Sequence, residues 1–79
     1  VVDADNLEAK TKEIAEKLAT GPSVAYRYMK ENLNRAMNGD VDECLDLEAT
    51  HHVHCGQTTD HKNAVKAFVE KQQPKFSGK

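Results

Sequence analysis

The stretch LATGPSVAYRYMKENLNRAMNGDVDE, residues 18–43, decides the fold class. It holds one helical pattern between two stop signals, Gly21-Pro22 and Gly39-Asp40. Glycine accepts the left-handed conformation that ends many helices, and proline suits a first helical turn. We therefore predict a helix that ends near Gly21, a second helix over residues 23–38, and a third that begins at residue 41.

Apolar side chains repeat every three or four residues along these segments, which is the spacing of one helix face. On the second helix they are Val24, Ala25, Tyr28, Met29, Leu33, Ala36 and Met37. On the third helix we predict one shared face that comprises Val41, Cys44, Leu45, Glu48, Ala49 and His52, with Leu47 on its flank.

The flanking residues extend the pattern to four helices, at about residues 6–20, 23–38, 41–55 and 59–72, with an extended tail over 73–79. Asp5 with Glu8, and Asp40 with Glu43, have the spacing of a capping box. The last helix is predicted to begin at Thr58 or Thr59, with Asp60 favourable in its positive first turn. No strand pattern appears beyond a Val1-Val2 stub. The sequence predicts an all-α fold, a small bundle of about four helices in one domain over residues 1–79.

Composition excludes several classes of function. The net charge is −2 and no basic stripe is visible, so we expect no nucleic-acid partner. No apolar run approaches the roughly 18–20 residues that span a membrane, so we expect no membrane partner. Two cysteines are too few for a secreted disulfide scaffold, which favours a cytoplasmic location. The chain has no initiator Met, which suggests a fragment of a longer protein.

The histidine-rich segment is the strongest candidate for chemistry within the chain itself. His51, His54 and Cys55 stand at i, i+3 and i+4 on a helix, and zinc prefers such nitrogen and sulfur ligands. A fourth ligand with a recognised spacing is missing. Cys55 also lies near a helix C-terminus, which disfavours a thiolate nucleophile. We predict no metal ion and no catalytic residue. The alternative is a self-contained helical interaction module with a His/Cys metal site, for which His61 is a further candidate ligand.

The last third of the chain resembles a known family. Residues 58–78 read TTDHKNAVKAFVEKQQPKFSG. They are similar to the closing signature of the enoyl-CoA hydratase/isomerase (crotonase) family, which has Thr or Ser, an Asp two residues later, an Ala-Phe pair, Glu-Lys-Arg, Pro, Phe and Gly. Upstream, a valine stub, an Ala-rich helix and Gly21-Pro22 agree with the same family.

The resemblance implies that the chain is the C-terminal helical domain of such an enzyme of fatty acid metabolism. The family's catalytic core precedes this segment, so whether the chain counts as an enzyme is left open, and we expect no catalysis by the segment alone. The implied role is oligomerisation and closure of the acyl-CoA site. The implied partners are the N-terminal catalytic core, neighbouring subunits of a homotrimer or hexamer, and acyl-CoA, with a coenzyme A thioester as substrate and no other cofactor.

Three residues match positions that contact coenzyme A (CoA) or the acyl group in the family. Lys71 matches a lysine that reaches the CoA 3′-phosphate, and Phe68 matches a phenylalanine that lines the CoA site. His52 matches an aromatic position near the acyl tail. The chain departs from the family pattern at Gln72, where Arg is usual, and at Ala64 and Asn63. The loss of the Arg weakens a charge-based contact with CoA.

Overall fold

A computed structural model describes all 79 residues. A short 3-10 helix, Ala4–Asn6, precedes α1 (Leu7–Ala19), α2 (Ser23–Ala36), α3 (Val41–Gly56) and α4 (Thr59–Val69). No strand is present, so the Val1-Val2 stub is not part of a sheet. The predicted all-α fold is confirmed.

The helix N-termini follow the capping signals in two of three cases. Asp40 accepts a hydrogen bond from the Glu43 backbone N–H at 2.8 Å. Only this half of the predicted box forms, because the Glu43 carboxylate pairs with Arg35 at 3.1 Å. Thr58 likewise caps α4 by accepting from the His61 N–H at 3.0 Å. The box predicted at Asp5 is wrong, because Asp5 lies within the 3-10 helix, and Asn6, the N-cap of α1, makes no side-chain bond.

Three helix C-termini differ from the prediction. α2 ends at Ala36 rather than at residue 38, because a turn follows it directly. Gly21 does not adopt the left-handed conformation, since the residues with positive φ are Lys71 and Gly78. The last helix ends at Val69 rather than at residue 72, because the chain reverses direction at Lys71. The predicted extended tail therefore starts from a tight turn and runs back along α4.

The inward face of α3 is rotated from the one that the spacing predicted. Its buried residue is His51, with half-buried Cys44, Leu47 and Cys55 beside it. Val41 and Leu45, expected to share the inner face, are 73% and 57% exposed. A polar and aromatic contact with α2, and not apolar spacing alone, determines which face of α3 turns inward.

The four helices form an open arrangement. α2 packs against α3, and α3 packs against α4. The radius of gyration is 15.8 Å, whereas a compact domain of this length has about 12 Å. The molecule extends over 44 × 38 × 18 Å. The helices therefore form a thin layer with little interior.

Most apolar side chains lie on the surface of this layer. The accessible surface is 6802 Å², against about 4,800 Å² for a folded monomer of this mass. Ala67 is the one buried apolar residue. Large exposed apolar side chains occur on every helix: Leu7, Ile14, Leu18, Met29, Leu33, Met37, Val41, Leu45, Val53, Val65, Phe68 and Val69. Within the chain, hydrophobic burial cannot hold the helices together.

Candidate functional site

The α2–α3 junction is organised around the His51 ring. The ring stacks on Tyr28 with centroids 4.2 Å apart. Its Nδ1 lies 2.6 Å from Asn32 Oδ1, and its Nε2 lies 3.3 Å from a Glu31 carboxylate oxygen. Both ring nitrogens thus face oxygen atoms on α2, and the ring is only 6% exposed. This cluster supplies the tertiary contact that apolar residues supply in most small bundles.

The two histidines proposed as metal ligands make contacts with side chains of α2. His51 contacts Asn32 and Glu31, and the His54 ring is tilted against the Tyr28 ring with centroids 5.8 Å apart. No group of three or more His, Cys, Asp or Glu side chains is placed to hold a metal ion. The His51 and His54 rings therefore make their contacts with α2 in this structure.

His52 lies on the exposed side of α3. It borders a shallow groove between α2 and α3 whose other walls include Ala25, Met29 and Glu48. No hydrogen bond, ion pair or ring contact joins His52 to Phe68 or Lys71. The three residues predicted to contact the thioester therefore lie in two places on this chain.

Phe68 and Lys71 lie together at the C-terminal end of α4. Phe68 is 85% exposed. The Lys71 N–H donates to the Phe68 carbonyl at 3.2 Å, and the Gln72 N–H donates to the Ala67 carbonyl at 2.8 Å. These two bonds form a Schellman motif in which Lys71 takes the left-handed position, with φ 56°. Glycine is the usual residue there, because a Cβ makes this conformation unfavourable.

Asp60 connects the other end of α4 to the chain's last residues. Its carboxylate accepts hydrogen bonds from the Ser77 N–H at 2.7 Å, the Ser77 hydroxyl at 3.2 Å and the Gly78 N–H at 2.9 Å. The Asp60 N–H donates to the Lys79 carbonyl at 2.9 Å. The side chain is 2% exposed. We call these four bonds the Asp60 clasp.

The clasp changes the acidity of Asp60. The Ser77 N–H bond, opposed by burial and reinforced by the Gly78 N–H and Ser77 hydroxyl, lowers the pKa of this carboxyl below its ordinary 3.8. Hydrogen bonds to the ionised form stabilise it, which is why the shift is downward. The clasp is therefore formed with a carboxylate at neutral pH.

The returning tail also closes a small cavity. Phe76 is half-buried and lines a space of ≈ 250 Å³ together with Pro22, Val24 and Ala25 at the start of α2 and Ala64 on α4. Phe76 therefore docks against this chain itself. The tail thereby joins α2 to α4.

Sequence reasoning missed two of the residues that matter most for the tertiary structure. Asp60 was assigned only a helix-dipole role, and Tyr28 only an apolar-face role. The signal in the sequence was a possible partner for each residue far along the chain. Asp60, at a helix start, has the Ser-Gly tail, and Tyr28 has a histidine. Neither pairing has a fixed spacing in the chain, so the sequence alone did not reveal it.

Comparison with known proteins places the chain in a family. The enoyl-CoA hydratase/isomerase profile matches residues 1–79. The chain is 34% identical over 79 residues to the 1,2-epoxyphenylacetyl-CoA isomerase of Escherichia coli K12, covering 100% of the chain and 30% of that protein. It is 37% identical over 73 residues to the short-chain-enoyl-CoA hydratase of Clostridium acetobutylicum, covering 92% and 28%.

The fold agrees with a solved structure. A crystal structure from Mycobacterium abscessus, described as an enoyl-CoA hydratase/isomerase, superposes with a TM-score of 0.93 at 34% identity, over 100% of this chain and 30% of that one. The chain belongs to the enoyl-CoA hydratase/isomerase family. It spans about 30% of the length of the relatives it matches, so it corresponds to one segment of these longer proteins.

One further observation concerns the helices themselves. None is both long and apolar enough to pass through a bilayer.

Proposed function

We propose that these residues form the C-terminal helical part of a CoA-thioester hydratase or isomerase, where they pack on the catalytic core and on neighbouring subunits and close the acyl-CoA site. Two observations support this proposal: the family match covers the whole chain, and the chain buries only one apolar residue within itself. The catalytic groups would then lie in the rest of the longer protein, and this segment would act by binding and positioning. The two half-buried free cysteines support a cytoplasmic location.

The exposed surface supports the packing role. The excess over a folded monomer is about 2,000 Å², which is comparable with a whole standard protein–protein interface. The apolar side chains of α1, α2 and α4 supply much of it. The occupants that we propose are the enzyme's own core and the adjacent subunits of a homotrimer or hexamer.

The end of α4 supports a role for Lys71. A lysine in a left-handed conformation is less favourable than a glycine, and such strain is concentrated at functional sites. Its side chain is exposed, and an ammonium on a flexible stem suits a phosphate group. We propose that Lys71 binds the 3′-phosphate of coenzyme A.

Phe68, three residues earlier, has an unburied ring that can contact the nucleotide part of the same ligand. His52 borders the α2–α3 groove and has a polar edge. We propose that it lies near the acyl group and favours an acyl chain with a polar or aromatic end over a plain alkyl chain. The similar proteins include both an isomerase and a hydratase of CoA thioesters by name, which supports this substrate class.

The test compares two ligands in the full-length enzyme by calorimetric titration: coenzyme A and 3′-dephospho-coenzyme A. Lys71→Ala should weaken coenzyme A binding about fivefold, the effect of about 1 kcal/mol expected for an exposed charge contact. It should leave the affinity for the dephospho ligand unchanged. Phe68→Ala should weaken both ligands.

The matched control is Lys12→Ala, an exposed lysine on α1 whose partner Glu16 lies 4.0 Å away. It should change neither affinity. If Lys71→Ala and Lys12→Ala behave alike toward both ligands, the assignment of Lys71 to the phosphate is wrong.

Assembly is tested by native mass spectrometry of the protein purified from its source cells. A complex of three or six copies of a chain several times heavier than 8.8 kDa would support the proposal. A native species of 8.8 kDa would support the self-contained interaction module instead.

A further inference from the structure

The tail and α4 form a closed hairpin that is pinned at both ends. At one end the Schellman bonds from Lys71 and Gln72 reverse the chain. At the other end the Asp60 clasp holds Ser77, Gly78 and Lys79 against the start of α4. The left-handed residue, Lys71, lies at the first of these attachments.

An unfavourable backbone conformation persists only where its surroundings enforce it. The Schellman bonds alone enforce it weakly, because the residue at the reversal has a Cβ and glycine would be preferred. The clasp adds a second constraint, since the tail can reach Asp60 only when the chain turns back at Lys71. The start of the tail and its end are thus coupled through the geometry of one hairpin.

We infer that Asp60 is a positioning residue for the thioester site: it holds the tail in place and thereby fixes the orientation of Lys71 at the far end of α4. The inference rests on the proposed binding role of Lys71. Asp60 itself contacts only the chain's own tail, so its effect on a ligand is indirect.

A second feature of the tail supports the same arrangement independently. Gly78 has φ 81°, and a Cβ added there would lie 2.6 Å from the Ser23 hydroxyl oxygen at the start of α2. The Ser23 hydroxyl ends a flexible side chain and can rotate away, so the positive φ, which disfavours any residue with a Cβ, is the main barrier to a side chain at residue 78. Such a side chain would strain the tail without altering Asp60.

The test uses the full-length enzyme and three variants of the clasp. Asp60→Asn places an amide NH₂ against a backbone N–H and breaks at least one bond. Gly78→Ala strains the tail backbone at its positive φ and leaves the Asp60 side chain unchanged. Ser77→Ala removes only the 3.2 Å hydroxyl bond and should have the smallest effect. Asp42→Asn, an exposed carboxylate on α3, is the matched control.

Two measurements separate the clasp from the proposed function. Amide hydrogen exchange of residues 70–79 reports whether the tail is released, with no ligand present. Titration with coenzyme A and with 3′-dephospho-coenzyme A reports whether Lys71 is misplaced. We expect Asp60→Asn and Gly78→Ala to speed exchange and to weaken coenzyme A binding, with the dephospho ligand unaffected. Adding Asp60→Asn to Lys71→Ala should cause no further loss.

Each result has a definite meaning. Faster exchange with normal coenzyme A binding, while Lys71→Ala still weakens that binding, would overturn the positioning role and leave the function of Lys71 standing. Normal binding in Lys71→Ala as well would overturn both. Equal weakening of both ligands in Asp60→Asn would indicate a general loss of structure and would also overturn the inference. Gly78→Ala and Ser77→Ala keep the test decisive if Asp60→Asn does not fold.

Discussion

Replacing Lys71 with glycine should separate the backbone role of this residue from its side-chain role. Lys71 has φ 56°, a conformation that costs an L-residue about 1–2 kcal/mol. Glycine removes that cost but loses about 0.5–1 kcal/mol more conformational freedom on folding. The difference predicts that Lys71→Gly stabilises the end of α4 by about 0.5–1 kcal/mol.

The assay is amide hydrogen exchange at Lys71 and Gln72, whose N–H groups donate the two Schellman bonds. A local stabilisation of this size should slow their exchange about twofold to fivefold in the full-length enzyme. The same variant should bind coenzyme A as weakly as Lys71→Ala does, because neither has the ammonium.

Lys71→Ala is the matched control, since alanine keeps the Cβ and therefore the backbone cost. Lys71→Asn should lie between the two, because asparagine tolerates the left-handed region better than most residues. If Lys71→Gly exchanges faster than Lys71→Ala, the conformation is not strained, and the argument from strain to function is refuted.

The remaining predictions concern the other contacts. His51→Ala should lower the free energy of unfolding by about 2–3 kcal/mol through the loss of two polar contacts and a ring stack, whereas exposed His52→Ala should change it by less than about 0.5 kcal/mol in chemical denaturation. The pKa of Asp60 is below its ordinary 3.8. The clasp should therefore stabilise the protein fully above pH 3.8 and should be lost as the pH falls through the lower folded-state pKa. Amide hydrogen exchange of the tail should follow this pH dependence in the wild type but not in Asp60→Asn. The isolated 79-residue chain should bind a hydrophobic dye such as anilinonaphthalene sulfonate, and the full-length enzyme should not, because α1, α2 and α4 expose apolar side chains. Added zinc should leave the melting temperature unchanged; a stoichiometric rise that a chelator reverses would support the metal-binding alternative.

The open arrangement explains why the chain has so few buried residues and yet defined tertiary contacts. In place of a hydrophobic core, His51 and Asp60 each collect several polar contacts across sequence separations of about 20 residues. Such contacts specify which surfaces meet, and each contributes only about 0.5–1.5 kcal/mol of net stability. Stability would then come from burial of the apolar faces in the assembled enzyme, in agreement with the proposed function.

Much of the secondary structure could be predicted because its signals are local. Helix starts at Asp40 and Thr58 depend on one side chain and a backbone amide three residues away. The spacing of apolar residues identified four helices for the same reason. The family resemblance was also available from the sequence, since it rests on a contiguous ending, and the comparisons confirmed it.

Helix orientation and chain reversal could be seen only in the tertiary structure, because they do not depend on local signals. Which face of α3 turns inward depends on the stacking of His51 against Tyr28, and the spacing alone favoured a different face. The end of α4 at Val69 depends on a tail that returns to Asp60. Its partners there, Ser77 and Gly78, are 17 and 18 residues further along the chain. Helix formation is governed by neighbours within one turn, whereas helix orientation and chain reversal are governed by contacts between distant residues. The sequence by itself therefore determined the helices and the family, and the three-dimensional structure alone determined the clasp, the left-handed Lys71 and the side of each helix that is left free for a partner.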